Sequence, residues 1–173
     1  GNLKKLTLEL GGKSPAIVLP DADLELTIPG VANAIFFNSG QVCVAGSRLY
    51  VHEKIFDRVL EGVVAYARGI RLGHGLDPAT QMGPVVSRKQ ADRIAGYIAS
   101  GKQEGASVVA GGGQTGPAGT FIEPTVLVDV RPQMKVVREE IFGPVVVATR
   151  VGSVEEAAEL ANDTEYGLAA SVW

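Results

Sequence analysis

The stretch FFNSGQVCVAGSRLYVH, residues 36–52, decides the fold. It leaves the apolar end of a helical pattern, turns at Gly40, and enters the apolar run 48–52, which has the composition of a buried strand. The turn carries Cys43, the only cysteine of the chain. Helix, turn and buried strand in this order are the repeating unit of α/β proteins.

The same alternation extends in both directions and predicts one α/β domain with a largely parallel sheet flanked by helices. Two helices are predicted to begin at capping boxes, in which a serine precedes Gln90 or Glu156 by three residues. The predicted strands are residues 6–10, 16–19, 48–52, 107–110, 125–130, 145–151 and 169–172, and the predicted helices are residues 23–37, 54–71, one opening at Ser87, and one from Ser153 through Ala161.

Composition limits the classes of function. Apolar residues make up 46% and charged residues 20% of 173 positions, and the net charge is −3. We therefore expect a soluble globular protein, with no nucleic-acid partner and no membrane partner. A single cysteine forms no internal disulfide, and no apolar run reaches membrane-spanning length, so the sequence predicts a cytoplasmic protein.

Two residues form a candidate catalytic pair. Cys43 is either a small buried hydrophobe or a nucleophile, and the small residues around it leave backbone N–H groups free to stabilise an oxyanion. Glu9 falls in a predicted strand on the face opposite Leu8 and Leu10, directly before Leu10-Gly11-Gly12. A carboxylate there is either paired or used as a general base.

The segment EEIFGPV, residues 139–145, has two interpretations. It is a solvated acid pair followed by a Gly143-Pro144 turn, or it places one acid on sugar hydroxyls and Phe142 against a flat ring. His52 and His74 lack metal-ligand spacing, so we expect structural roles for both and no metal site.

No nucleotide-phosphate loop is predicted. The glycines of residues 111–116 fit G-x-G-x-x-G, but a strand-like run follows them rather than a helix N-terminus. Residues 12–14, Gly-Lys-Ser, lack the first glycine that a phosphate loop requires, and Pro15 disfavours a helix at this point.

Together, LELGGKSP (residues 8–15), FFNSGQVCVAGSR (36–48) and EEIFGPV (139–145) resemble the motif set of the aldehyde dehydrogenase superfamily. The runs GPVVSRKQ (83–90) and F-x-EPT (121–125) also follow that family's order. The resemblance covers essentially the whole chain. It implies that Cys43 is the nucleophile and Glu9 the general base. It also implies that Glu140 binds the nicotinamide ribose, that Phe142 is the neighbouring aromatic ring, and that the backbone of Leu10 and Gly11 faces the nicotinamide.

The resemblance implies oxidation of a small-molecule aldehyde to an acid, with hydride transfer to NAD or NADP, NAD being favoured. It implies attack by Cys43 and hydrolysis of the resulting thioester with Glu9 as base. The sequence is most similar to enzymes for phenylacetaldehyde-like or betaine-aldehyde-like substrates, and the full-length protein is expected to be a homodimer or homotetramer.

The resemblance also divides the chain. Residues 1–12 match the last strand of a cofactor-binding domain, and residues 13–173 match a catalytic domain that is incomplete at its C-terminus. Relative to the family fold, the chain as a whole is expected to be truncated at both ends. We therefore expect the chain alone to be inactive. Two alternatives remain open at this point: a Cys-dependent thioesterase or amidase that uses His52 as base, and a structural fragment of the same fold without catalysis.

Overall fold

A computed structural model describes residues 3–116 and 119–173. Gly1 and Asn2, at the start of the predicted segment 1–12, and Pro117 and Ala118, in the predicted Gly-rich turn, lie outside the described residues. Six strands form one sheet with helices on both faces, which confirms the predicted architecture. The described helices are α1 (Leu24–Phe36), α2 (Phe56–Gly69), α3 (Arg88–Gln103), α4 (Lys135–Arg138) and α5 (Val154–Asn162).

The sheet is parallel except at one edge. In spatial order its strands are β3 (Ser107–Ala110), β6 (Thr125–Val128), β7 (Val145–Val151), β2 (Arg48–His52), β1 (Pro15–Val18) and β8 (Ser171–Val172). Only β3 runs antiparallel to its neighbour. A separate hairpin pairs β4 (Gln114–Thr115) with β5 (Phe121–Ile122).

Residues 49–51 of β2 and 145–148 of β7 are buried, which is why these parts of the strands read as apolar runs. Along β7, Val146 and Ala148 join the core under α1 and α2, whereas Val145 and Val147 join the core under α3 and α4. In the described part of the chain, no helix combines the length and apolar character needed to cross a membrane.

Three helices begin where the sequence predicts. Asp23 accepts a hydrogen bond from the Glu25 N–H at 3.0 Å, which caps α1. Ser87 and Ser153 accept from the N–H three residues on, at 3.2 and 3.1 Å, and cap α3 and α5. These bonds satisfy N–H groups that have no partner within the helix.

The predicted strand at residues 6–10 is wrong. The segment has no regular secondary structure, and Leu6, Leu8 and Leu10 are exposed. Alternating residues favour an extended chain, but a strand forms only when its backbone groups pair with a neighbour. No described segment pairs with this one, and Glu9 is exposed on it rather than held on one face of a strand.

Strands β6 and β8 are shorter than predicted. Residue Asp129 has φ of 56°, a left-handed conformation that ends β6 at Val128. The short helix α4 and the hairpin β4–β5 carry too few residues for periodicity to show, and neither was predicted from the sequence.

A buried arginine fixes where β1 enters the sheet. Arg48 is 2% exposed, and its Nε donates to the Lys13 carbonyl at 2.7 Å. Its terminal nitrogens donate to the carbonyls of Leu160 and Ala161 at 3.2 and 2.8 Å. One guanidinium thus ties the start of β1, the start of β2 and the last turn of α5.

Lys13 is buried without such partners. It is 2% exposed, and within the described structure its Nζ makes no hydrogen bond. Burial, and secondarily the charge of Arg48, lower the pKa of Lys13 from 10.5 to about 7, although Glu140 and Glu139 oppose the change. The ammonium form is therefore costly in the folded protein.

We predict that Lys13→Met stabilises the protein most at and below pH 7. Between about pH 7 and 10.5 the unfolded chain holds the Lys13 proton and the folded chain does not, so the stability of the parent protein rises with pH in this window. The gain from methionine, about 1–4 kcal/mol at neutral pH, should become smaller as pH approaches 10.5, because the folded protein no longer buries a charge there. Urea unfolding at both ends of the window measures it, with the exposed Lys54→Met as control. An equal gain at both ends would contradict the burial argument.

Candidate active site

Three loops converge at the amino ends of the parallel strands, where β1, β2 and β7 begin. The strand register aligns Pro15 with Arg48, and Arg48 with Val147. The residues that precede these three positions therefore lie side by side. They include Gly11 and Gly12 before β1, the turn around Cys43 before β2, and residues 139–143 before β7, which we call the acid loop.

The approach to Cys43 has an unusual backbone. After α1 ends, Asn38, Ser39 and Gly40 have φ values of 50°, 56° and 68°. Left-handed geometry costs a residue with a side chain about 1–2 kcal/mol, so neighbouring contacts must hold it. Ser39 Oγ donates to the Gly83 carbonyl at 2.8 Å, and Asn38 Nδ2 donates to the Gln41 carbonyl at 3.1 Å.

Cys43 lies at the second position of a β-turn. The Ala45 N–H donates to the Val42 carbonyl at 3.0 Å and closes the turn, and Gly46 N–H is bound to the Ala34 carbonyl at 3.0 Å. The side chain of Cys43 is half-buried. Its backbone N–H has no hydrogen-bond partner among the residues described, so it remains able to donate to an oxygen beside the sulfur.

Gly11 and Gly12 lie between the acid loop and the Cys43 turn and contact both. The Gly12 N–H donates to Glu140 Oε1 at 3.0 Å. A Cβ on Gly11 would overlap the Glu140 carboxylate, and a Cβ on Gly12 would overlap the Cys43 carbonyl oxygen. Only glycine permits this approach, as the sequence suggested in general terms.

Gly40 brings the acid loop to the cysteine turn from the other side. A Cβ at Gly40 would overlap the carbonyl group of Gly143. Phe142, next to Gly143, has φ of 58° and an exposed ring. The structure therefore brings together Cys43, Gly11, Glu140 and Phe142, four of the six residues predicted for the site.

Glu9 and Leu10 are not brought into this contact. Both are exposed on residues 3–10, and the described structure gives the Glu9 carboxylate no hydrogen bond or ion pair. The steric role of Gly40 was missed at the sequence level. The motif N-S-G before the cysteine was the available signal, because asparagine and glycine tolerate positive φ.

His52 lies at the wrong end of the molecule to serve Cys43. It ends β2, whereas the cysteine turn precedes β2, and five strand residues span about 13 Å. The His52 side chain is buried, and its Nδ1 accepts the Lys54 N–H at 3.2 Å. This geometry opposes a cysteine hydrolase that uses His52 as base.

Comparison with known proteins identifies similar sequences along the whole chain. The model of the aldehyde dehydrogenase family matches residues 1–173. A putative aldehyde dehydrogenase, DhaS, of Bacillus subtilis is 49% identical over 99% of this chain, and a probable betaine aldehyde dehydrogenase of Schizosaccharomyces pombe is 51% identical over 99%. The chain spans about a third of these relatives, 35% of each.

Solved structures agree with the fold. A complex of NAD+ with an aldehyde dehydrogenase from Bacillus cereus superposes with a TM-score of 0.95 at 51% identity, covering 99% of this chain and 35% of that one. A betaine aldehyde dehydrogenase from Staphylococcus aureus in complex with NAD+ gives a TM-score of 0.94 at 41% identity, with 99% and 35% covered.

We predict that Gly40→Ala destabilises the protein by more than about 2 kcal/mol, because the new Cβ meets the Gly143 carbonyl group at a left-handed φ. The measurement is the free energy of unfolding in urea. Gly96→Ala is the matched control, since nothing lies within 4 Å of its Cβ position inside α3. That control should be neutral or stabilising by up to about 1 kcal/mol. Equal stability of the two variants would contradict the proposed contact.

Proposed function

The chain belongs to the aldehyde dehydrogenase family, and on that premise we propose that the protein containing it oxidises an aldehyde to a carboxylic acid with NAD as hydride acceptor. The observation that carries the proposal is the meeting of the Cys43 turn and the acid loop across Gly11 and Gly12. This arrangement sets a nucleophile beside a carboxylate and an exposed aromatic ring.

The residues at this edge fit the nicotinamide half of such a cofactor. Glu140 uses Oε1 to accept the Gly12 N–H, and a carboxylate has further acceptor capacity for ribose hydroxyls. The ring of Phe142 is exposed and able to pack against a flat group. The exposed backbone at Leu10 and Gly11 leaves space for close approach. NAD is favoured over NADP because both structurally similar relatives carry NAD+.

The proposed chemistry begins with the Cys43 sulfur, which attacks the aldehyde carbon and forms a carbon–sulfur bond. The carbonyl oxygen gains negative charge, and the free Cys43 N–H donates to it. NAD, when bound, supplies the acceptor for the hydride that leaves this carbon, so that a thioester remains on Cys43. A water molecule then loses its proton to Glu9 and cleaves the thioester, releasing the acid and the sulfur.

Glu9 is proposed as the base although it is exposed in the described structure. It lies two residues before Gly11, whose backbone is held beside Glu140, on a segment that pairs with no described strand. A rearrangement of this segment would be needed to bring the carboxylate to Cys43. Its freedom from other partners supports this role.

We also propose that residues 1–12 belong to a cofactor-binding domain and residues 13–173 to the catalytic domain.

The substrate we propose is a small aldehyde of the betaine-aldehyde or phenylacetaldehyde type. Relatives named betaine aldehyde dehydrogenase support the first class. Val42 and Val44, partly exposed beside Cys43, offer apolar contact to either. The resemblance that suggests the substrate also suggests a homodimer or homotetramer for the full-length protein.

We predict that Cys43→Ser in the full-length protein lowers aldehyde-dependent NADH formation by at least about a thousandfold, because the hydroxyl is a far weaker nucleophile than the thiol. NADH absorbance measures the rate. Val154→Ala, exposed at the start of α5, is the control and should stay within about tenfold of the parent rate. Near-parental turnover in Cys43→Ser would exclude Cys43 as the nucleophile.

We predict that Glu9→Gln in the full-length protein slows thioester hydrolysis much more than hydride transfer. Rapid mixing should show a burst of NADH close to one per active site, followed by a steady-state rate reduced by at least about a hundredfold. Glu25→Gln, an exposed acid on α1, is the control and should leave both phases unchanged. Loss of the burst together with turnover would assign Glu9 to acylation instead.

A further inference from the structure

One face of α3 is turned toward the acid loop. Gln90, Arg93, Ile94 and Tyr97 follow the i, i+3, i+4, i+7 spacing of a single helix face. Each of them contacts a residue between 139 and 143. None of the four was assigned a catalytic or cofactor role from the sequence.

Two side chains of this face hold three successive carbonyl groups of the loop. Arg93 donates to the Glu140 carbonyl at 3.0 Å. The Gln90 amide nitrogen donates to the carbonyls of Ile141 and Phe142 at 3.1 and 2.8 Å. Both protons of one amide group are therefore used on adjacent peptide units.

The other two side chains hold the ends of the loop. The Tyr97 hydroxyl donates to Glu139 Oε2 at 2.7 Å. A Cβ on Gly143 would overlap the side chain of Ile94, so the loop is pressed against the helix at this point. Hydrogen bonds and packing thus extend over the whole acid loop, from Glu139 to Gly143.

The loop needs such support because Phe142 is strained. Its φ of 58° is a left-handed conformation, which is uncommon for a bulky residue and persists only where the surroundings impose it. Gln90 binds the carbonyls on both sides of the strained Phe142 N–Cα bond. This conformation leaves the Phe142 ring exposed while Glu140 stays directed at Gly12.

The Gln90 side chain is available to bind the acid loop because the backbone N–H of Gln90, and not its side chain, forms the helix cap. The sequence predicted a capping box, in which the Gln90 side chain would return to the backbone N–H of Ser87. Instead, the backbone N–H of Gln90 completes the cap on Ser87, and the side chain reaches the acid loop. A substitution of the side chain therefore leaves the helix cap intact.

We propose that Gln90 is a positioning residue, assisted by Arg93, which holds Phe142 in its left-handed conformation and so presents Glu140 and Phe142 to the nicotinamide ribose and ring. This inference deepens the proposed function and rests on it. In the described structure the Gln90 side chain donates to backbone carbonyls of the acid loop. Its effect passes through the backbone of the acid loop, and cofactor affinity rather than chemistry depends on it.

The first test uses the full-length protein and needs no cofactor. A left-handed residue gives a strong intraresidue NOE between its amide and α protons, so NMR reports the Phe142 conformation directly. Gln90→Leu removes the donors, Gln90→Glu replaces them with acceptors facing two carbonyls, and Gln90→Lys restores a donor of similar reach. We expect the strong NOE in the parent and in Gln90→Lys, and its loss in Gln90→Leu and Gln90→Glu. Gln103→Leu, exposed at the end of the same helix, is the control and should retain it.

The second test uses the full-length protein and compares the Kd for NAD with turnover at saturating NAD. Loss of two hydrogen bonds should raise the Kd about tenfold to thirtyfold in Gln90→Leu, and further in Gln90→Glu. Gln90→Lys and Gln103→Leu should stay within about threefold of the parent. Turnover at saturation should change little in all four, which a general loss of folding would not produce.

The outcomes separate the two claims. Unchanged NAD affinity and an unchanged Phe142 NOE in Gln90→Leu would overturn the positioning role even if the parent protein is an active dehydrogenase. Failure of the parent protein to bind NAD would instead overturn the proposed function, together with the cofactor part of this inference. Loss of affinity that Gln90→Lys does not restore would also count against positioning through a donor.

Discussion

The buried Arg48 guanidinium is the contact on which the arrangement of the site depends. Its bonds to the carbonyls of Lys13, Leu160 and Ala161 fix the entry of β1 relative to β2 and α5. A buried cation is tolerated only when its donors are satisfied, and here three carbonyl groups and the Tyr50 hydroxyl accept from Arg48. Because Lys13 follows Gly12 directly, the same bonds set where the glycine pair meets Glu140.

Glycines then determine how closely the loops approach. Gly11, Gly12 and Gly40 each lie where a Cβ would overlap a polar group of a neighbouring loop. Backbone atoms and carboxylate oxygens thereby come into direct contact at the amino ends of the parallel strands. Sites of open α/β sheets usually form at the carboxyl ends, where a sequence argument would first look for them. In this chain the three motif loops instead precede their strands, so the site forms at the opposite edge.

Much of the fold follows from local sequence. The central strands β2 and β7 have the predicted bounds, because their buried residues 49–51 and 145–148 form apolar runs. The helix caps at Ser87 and Ser153 also follow from short-range chemistry. The prediction of a strand at residues 6–10 is wrong, because strand formation depends on pairing with a neighbouring chain segment and not only on local sequence.

The sequence predicted which residue types form the candidate site, but not the tertiary contacts that hold them in place. Motifs identified Cys43 and Glu140, and their meeting follows from strand register, which the sequence alone does not contain. The left-handed Phe142 could not be foreseen, because nothing local favours positive φ in phenylalanine. The use of the Gln90 side chain on a loop 51 residues away is likewise a tertiary property.

The most direct test of the central claim is a crystal structure of the full-length protein with bound NAD. The account predicts the nicotinamide ribose at the amino edge of the sheet, with a hydroxyl donating to the Glu140 carboxylate and the nicotinamide ring beside Cys43. A nicotinamide bound at the carboxyl edge near His52, with Glu140 contacting only Gly12, would contradict it.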